Sequence, residues 1–163
     1  KPAKGQRHAL RVVRDILHHT PEGRGGDLRH ALHHLQKSFR RRAVLVILSD
    51  FLDPLPTSAL AQANRRHDVV AVQVTDPHEE SLPALGRMTL EDAETGEVGE
   101  VLLRKPSELE AFHQDRAEAQ EALTKQLAGM DIDHLQLRTD QPWLPELAKF
   151  FRTRLEKQMP RSK

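Results

Sequence analysis

Apolar residues Leu10, Val13, Ile16 and Leu17 recur at helical spacing between His8 and His18, and Pro21 with Gly23, Gly25 and Gly26 then breaks the pattern into a flexible loop. A second apolar stripe, Leu28, Ala31, Leu32 and Leu35, opens at Asp27, which predicts an N-cap, and runs to near Phe39. The stretch from Ala43 to Leu48 is unbroken, short and rich in branched side chains. That predicts a central strand buried on both faces, ending abruptly at Ser49 and Asp50. Thr57 or Ser58 is placed to cap a short helix through Leu60 and Ala63 to Arg66. After it, "DVVAVQV" predicts a second buried strand ending at Thr75 and Asp76. Two such strands with a helix between them form a βαβ unit, so the sheet is expected to be mainly parallel. The turn-like "DAETGE" lies between two short β-like runs, Arg87 to Leu90 and Glu100 to Leu103, and predicts a small hairpin. Pro106 and Ser107 open a long charged helix with Leu109, Phe112, Ala119, Leu123 and Leu127 turned inward and Gly129 available to stop it. "DHLQLRT" predicts a third, more alternating strand, and a last helix runs from about Pro142 past Trp143, Leu147, Phe150 and Phe151 to Leu155. The tail "QMPRSK" is expected to fray.

With 163 residues the chain has the length of one domain with a real core, and the pattern shows no repeat, low-complexity tract or interdomain linker. Its 25 Lys and Arg balance 24 Asp and Glu, its basic residues are scattered, and it has one Trp and no Tyr for stacking bases. Nucleic acid is therefore not an expected partner. The absence of cysteine excludes disulfides and thiol chemistry, no apolar run has the length of a membrane helix, and "KPAKGQRH" lacks the apolar stretch of a signal peptide. These features suit the cytoplasm. The missing initial Met raises the expectation of a fragment.

The chemistry centres on strand tips, where open α/β sheets bind ligands. Asp50 and Asp76 both stand there, and each has two readings: a rim group facing a ligand, or an acceptor of main-chain N–H groups in its own turn. Ser49 lies beside Asp50 without a G-x-S-x-G elbow, so strand closure by hydrogen bonding is its simpler role. Asp50 and Asp53, three apart, are the leading enzyme alternative, a Mg-dependent hydrolase or phosphatase using Asp50, although such phosphatases usually present D-x-D. His30 and His34 lie one helical turn apart, yet "HALHH" lacks the carboxylate of H-E-x-x-H, and a solvated helix face accounts for them. "GRGGDL" precedes a helix without following a strand and matches no phosphate-binding fingerprint. The long helix alternates charges, which fits either a solvated face or a docking surface.

The stretches "KGQRHALRVVRDIL", "PEGRGGDLRHAL", "RRAVLVILSDF", "RRHDVVAVQVTDPHEESLP", "LEDAETGE" and "FFRTR", in this order, resemble the second half of a von Willebrand factor A-like domain. More narrowly, the chain resembles the bacterial family catalogued as domain of unknown function 58. That resemblance implies an α/β, Rossmann-like three-layer sandwich with a mainly parallel sheet and a small β-hairpin insertion. Residues 1–163 would form a single domain, the carboxyl-terminal portion of a von Willebrand factor A-like domain, and hold the last three strands of the order 3-2-1-4-5-6. The strand at Val44 to Leu48 would then present an unpaired apolar edge and favour a homodimer by edge pairing, or poor solubility.

Von Willebrand factor A domains hold a divalent cation through D-x-S-x-S, a Thr and a later Asp. Asp50 matches the last of these, D-x-S-x-S is absent, and Gly26 stands where the family usually has Thr. The chain alone is thus expected to hold no cofactor, with Mg²⁺ at Asp50 only if an upstream half supplies ligands. The resemblance further implies a non-catalytic protein–protein interaction module, working with a MoxR-type AAA+ ATPase in protein assembly or activation. Its partner-facing loops would carry Gly25, Gly26, Asp27, Ser49, Asp50 and Asp76.

Overall fold

The computed structural model describes residues 4–20, 26–80, 86–91 and 96–158. The loop expected at Pro21 to Gly25, most of the "DAETGE" turn and all of the expected frayed tail but Gln158, which ends the last helix, lie outside these residues. The chain divides into two compact units, residues 1–26 with 90–99 and residues 27–89 with 100–163. The smaller unit contains α1 (Gln6–His18), an amphipathic helix that buries none of its residues.

The larger unit is built on three parallel strands, β1 (Val44–Ser49), β2 (Asp68–Thr75) and β5 (Asp133–Arg138), in the order β1-β2-β5. On one face, α2 (Leu28–Ser38), α3 (Thr57–Arg66) and α5 (Pro106–Gly129) bring Leu32, Leu60, Ala63, Leu123 and Leu127 against Ile47, Val69 and Ala71. On the other face, Val70, Val72 and Leu135 meet Leu147 and Phe150 of α6 (Trp143–Gln158). Helices therefore cover both faces of a small parallel sheet, as such sheets require. Between β2 and α5, Asp76 accepts from the His78 amide to start the short α4 (Pro77–Glu80). β3 (Gly86–Glu91) and β4 (Val98–Leu103) form a separate two-stranded sheet, each slightly longer than the sequence pattern predicts.

Burial on both faces, expected of the Ala43–Leu48 strand, belongs instead to β2, whose Val69 to Val72 are all within 1% of complete burial. In β1 only one face is covered. Leu45 and Ile47 point into the helical layer with α2, α3 and α5, while Val44, Val46 and Leu48 are 60%, 39% and 69% exposed. The register pairs Val46 with Val70 and Leu48 with Val72, which places these exposed residues on the α6 side. α6 covers β2 and β5, and among the described residues β1 pairs with β2 alone.

The local signals at helix ends were partly misleading. Asp27 caps α2 as expected, its Oδ1 accepting from the His30 amide at 2.9 Å. Neither Thr57 nor Ser58 caps α3; both lie inside the helix, and the N-cap position falls to Pro56, which offers no side-chain acceptor. Glu108 reaches back to the amides of Arg104 and Lys105 to start α5. Ala119, expected to face inward on that helix, is exposed, and Gln120 is half-buried beside it. α5 does end at Gly129, but the left-handed residue that stops it is Asp131, at φ 54°. Its amide bonds to Ala128 O and the Ile132 amide to Leu127 O, closing a Schellman motif in which Ile132 and Leu127 share the core.

A side chain at a left-handed position stores strain that glycine lacks. Asp131→Gly is expected to raise stability by about 0.5–1 kcal/mol and the branched Asp131→Val to lower it by about 1–2 kcal/mol, both read from urea unfolding midpoints.

Candidate functional site

The carboxyl ends of the three strands lie within the larger unit and carry most of its polar chemistry. At the tip of β1, Asp50 Oδ1 accepts from the Ser49 hydroxyl at 3.3 Å and from the Leu52 amide at 3.4 Å, while Ser49 Oγ accepts from the Phe51 amide at 3.0 Å. Phe51 adopts φ 56° inside this turn. Of the two readings open for Asp50, the structure thus shows the turn-forming one for Oδ1. The same holds for Ser49.

The Asp50 carbonyl accepts from Gln73 Nε2 at 3.3 Å, and Gln73 is only 4% exposed. Its carboxamide also forms a reciprocal pair with that of Gln120 on α5, both bonds at 2.9 Å. Gln136 Nε2 donates to Gln73 Oε1 at 3.2 Å, and His134 Nε2 lies at the same distance from it. A cleft of about 240 Å³ opens above this network, lined by Asp50, Gln73, Thr75, His113, Arg116 and Gln120. The α5 residues among them fall at i, i+3 and i+7, one face of the helix.

At the tip of β2, Asp76 accepts from the His78 amide at 2.9 Å and through Oδ2 from the Thr139 hydroxyl at 3.0 Å; His78 Nδ1 lies 2.8 Å from its Oδ1. The Thr139 amide donates to Thr75 O at 3.0 Å, so the ends of β2 and β5 are tied together. The His78 amide and ring, then the Thr139 hydroxyl, hold the Asp76 carboxyl below its usual pKa. Asp140 is also held low, by its hydrogen bonds from Arg138, at 3.1 Å from Nε and 3.2 Å from Nη2. Half-burial pushes His134 down, toward the neutral ring.

Of the residues singled out in the sequence, Asp50 lines the cleft, Ser49 supports its turn, and Asp76 anchors the neighbouring strand tip. Asp27 serves α2 locally, Gly26 offers no side-chain ligand, and Gly25 lies outside the described residues. Asp53 is not among the residues that line the cleft, and His30, His33 and His34 are exposed. Among the described residues Asp50 is the one carboxylate in the cleft lining, which also includes Arg116, whose guanidinium carbon lies 5.8 Å from the centroid of the Phe112 ring. Among the described residues no group of three or more His, Asp or Glu comes together to hold a metal, and no helix is long and apolar enough to cross a membrane. A hard cation would need several more oxygen ligands than this cleft supplies. Gln73, Thr75, His113, Arg116 and Gln120 were not singled out from sequence. The one available signal was Gln73 as the sole amide in "DVVAVQV".

A family model described as "Protein of unknown function DUF58" matches residues 1–122. Uncharacterized proteins of Mycobacterium bovis and Mycobacterium tuberculosis are each 35% identical over 160 residues, covering 94% of this chain and 49% of the relative. An uncharacterized protein of Mycobacterium avium is 34% identical over 161 residues, covering 94% of this chain and 92% of the relative. The chain thus spans about half the length of the first two relatives and nearly all of the third. No solved structure matches it.

Truncating the hub leaves buried amides without partners, so Gln73→Ala is expected to cost about 1–3 kcal/mol in chemical unfolding. The pH dependence follows from the downward shifts. A group with a depressed folded pKa stabilises the fold above its unfolded pKa, and that contribution is lost as pH falls through the folded value. His134 therefore withdraws stability as the pH drops below its ordinary 6.5, and Asp76 and Asp140 do so below their ordinary 3.8. Thermal melts should show the first decline, and His134→Gln, which keeps a donor toward Gln73, should remove it.

Proposed function

The chain belongs to the DUF58 family of proteins of unknown function, and from that premise we propose that it is a non-catalytic protein-interaction module with a von Willebrand factor A-like fold. Three adjacent parallel strands with helices on both faces support this fold, because the last strands of such a domain would have this arrangement. The observation that carries the functional reading is the cleft at the tips of β1 and β2. Asp50 and Leu52 line it from the tip of β1, and His113 and Arg116 line it from α5. A space of about 240 Å³ takes one or two side chains of a partner loop, and its mixed charge selects the partner by complementarity.

The neighbouring acids support binding over nucleophilic chemistry. Asp50 uses Oδ1 within its own turn, and both oxygens of Asp76 are engaged by His78 and Thr139. Such carboxylates present fixed charge at the rim. The partner class is a MoxR-type AAA+ ATPase, a proposal that rests on the resemblance to the family. The module would bind it in the assembly or activation of other proteins.

Calorimetric titration of this chain with a purified MoxR-type ATPase tests the reading. Saturable binding weakened about tenfold or more by Arg116→Glu, and also weakened by Asp50→Ala, is the expected result. Absence of binding, or binding that survives both substitutions, overturns it. Mg-dependent hydrolysis of a phosphate ester that Asp50→Ala abolishes would put the hydrolase or phosphatase alternative in its place.

A further inference from the structure

We propose that two copies of this chain join antiparallel through β5, about a twofold axis at Gln136, with their α6 helices packed side by side. In the strand order 3-2-1-4-5-6 of the fold proposed above, on which this inference rests, the outer side of β1 is the place of a preceding strand. β5 is the outermost strand of that order. The Thr139 amide donates to Thr75 O at 3.0 Å, so Thr139, Leu137 and Leu135 turn their main-chain groups toward β2. His134 and Gln136 turn theirs outward, because these groups alternate sides along a strand. Among the described residues β5 pairs with β2 alone.

Spacing favours a second copy as the occupant. α6 covers β2 and β5 together, with Leu147 and Phe150 packed on Val70, Val72 and Leu135. Its axis thus lies over the interval between the two strands. In a sheet continued across the twofold, the two α6 axes stand two strand spacings apart, about 9.6 Å. Packed helices stand about 8–10 Å apart. A groove of about 230 Å³ between α6 and β5 is lined by Leu135, Glu146, Lys149 and Thr153, among others. No β2 residue lines it, so it opens on the outer flank, where the second α6 would close it.

Charge selects the register. Arg154 meets Asp133 at the start of β5. Gln136 lies three residues on, about 10 Å along the strand, which at about 1.5 Å per helical residue is six or seven residues back along α6, near Leu147 and Ala148. The twofold then falls midway between Glu146 and Lys149. Each copy's Glu146 is level with the other's Lys149, and the two opposite-charge pairs are related by symmetry. An axis at Leu135 would bring the two lysines together, and one at Leu137 the two glutamates. On the strand, Gln136 exchanges main-chain bonds with its own copy, and Leu135 meets Leu137 beneath the helices. His134 faces Arg138, and half-burial holds His134 toward the neutral ring, so like charges do not oppose each other there. The Arg138 carbonyl accepts from the Gln141 amide at 3.3 Å and keeps a second lone pair for the His134 amide of the other copy. The cleft takes no part, so loss of the dimer and loss of partner binding are separate outcomes.

Sedimentation equilibrium should show a dimer. Lys149→Glu and Glu146→Lys, both at exposed positions, should each weaken it about tenfold, and the two combined should restore it. Circular dichroism checks that each variant is folded. The chain has no cysteine, so introduced thiols report the register directly. Under mild oxidation Gln136→Cys should cross-link to itself and His134→Cys alone should not, while a mixture of His134→Cys with Arg138→Cys should cross-link as a heterodimer. A folded monomer at all concentrations overturns the proposal. A dimer that keeps its affinity through both single charge reversals, or equal cross-linking by His134→Cys and Gln136→Cys, overturns it as well.

Discussion

A carboxamide buried in a parallel sheet must find partners for two donors and an acceptor, and Gln73 finds them in three different segments. Its Nε2 reaches the Asp50 carbonyl at the end of β1 and Gln120 on α5, while its Oε1 receives Gln120 and Gln136 and contacts His134 on β5. Each partner would lose its bond if its element shifted by a fraction of the bond length. In a low-dielectric interior an amide left unpaired costs more than the paired amide contributes, so the network acts as a register pin. The hydrophobic layer around Leu60, Leu127 and Val69 supplies the non-directional part of the stability. Gln73 supplies direction.

The opposite end of the sheet is pinned by different chemistry. Asn64 on α3 donates to Met130 O and Asp131 O at 2.9 and 3.1 Å and accepts from the Val69 amide at 3.1 Å, so one side chain joins α3, the end of α5 and the start of β2. Arg154 of α6 bonds Asp68 and, at 3.2 Å, Asp133, the first residues of β2 and β5. Its guanidinium is largely buried, with side-chain exposure of 12%. Such a charge is useful here because it meets carboxylates from two strands and fixes the helix over both. The amino ends of the strands are thus locked, and the carboxyl ends carry the cleft.

Element positions were legible in the sequence because burial on a sheet or against one helix face writes a period into the chain. Leu28, Leu32 and Leu35 on α2, and the unbroken apolar core of β2, are direct cases. Asp27 was legible because a cap acts within three residues. The cleft was not, because its residues meet across long separations: Gln73 and Gln120 are 47 residues apart, and the lone amide in an apolar strand marks Gln73 without naming its partner. On α5 the polar face that becomes cleft wall reads like any charged helix surface, so Ala119 looked the better inward residue and Gln120 was overlooked. The one-sided burial of β1 was hidden for another reason. An apolar run records what a strand can bury, and whether a neighbour covers it depends on chain elsewhere.

The turn after β1 shows how the hub and the rim are coupled. Phe51 holds a left-handed backbone although it is neither Gly nor Asn, a conformation that costs of order 1 kcal/mol. Its ring packs against the core shared by α2, α3 and α5, and burial of an aromatic ring is worth more than that strain. Ser49 Oγ and Asp50 Oδ1 satisfy the amides that the reversal exposes. The consequence is geometric: with Phe51 anchored inward, the Asp50 carbonyl is directed at Gln73 and its carboxylate stays at the cleft edge. The acid at the strand tip is therefore positioned by the core beneath it, and a load applied to the rim is transmitted through one amide to every strand of the sheet.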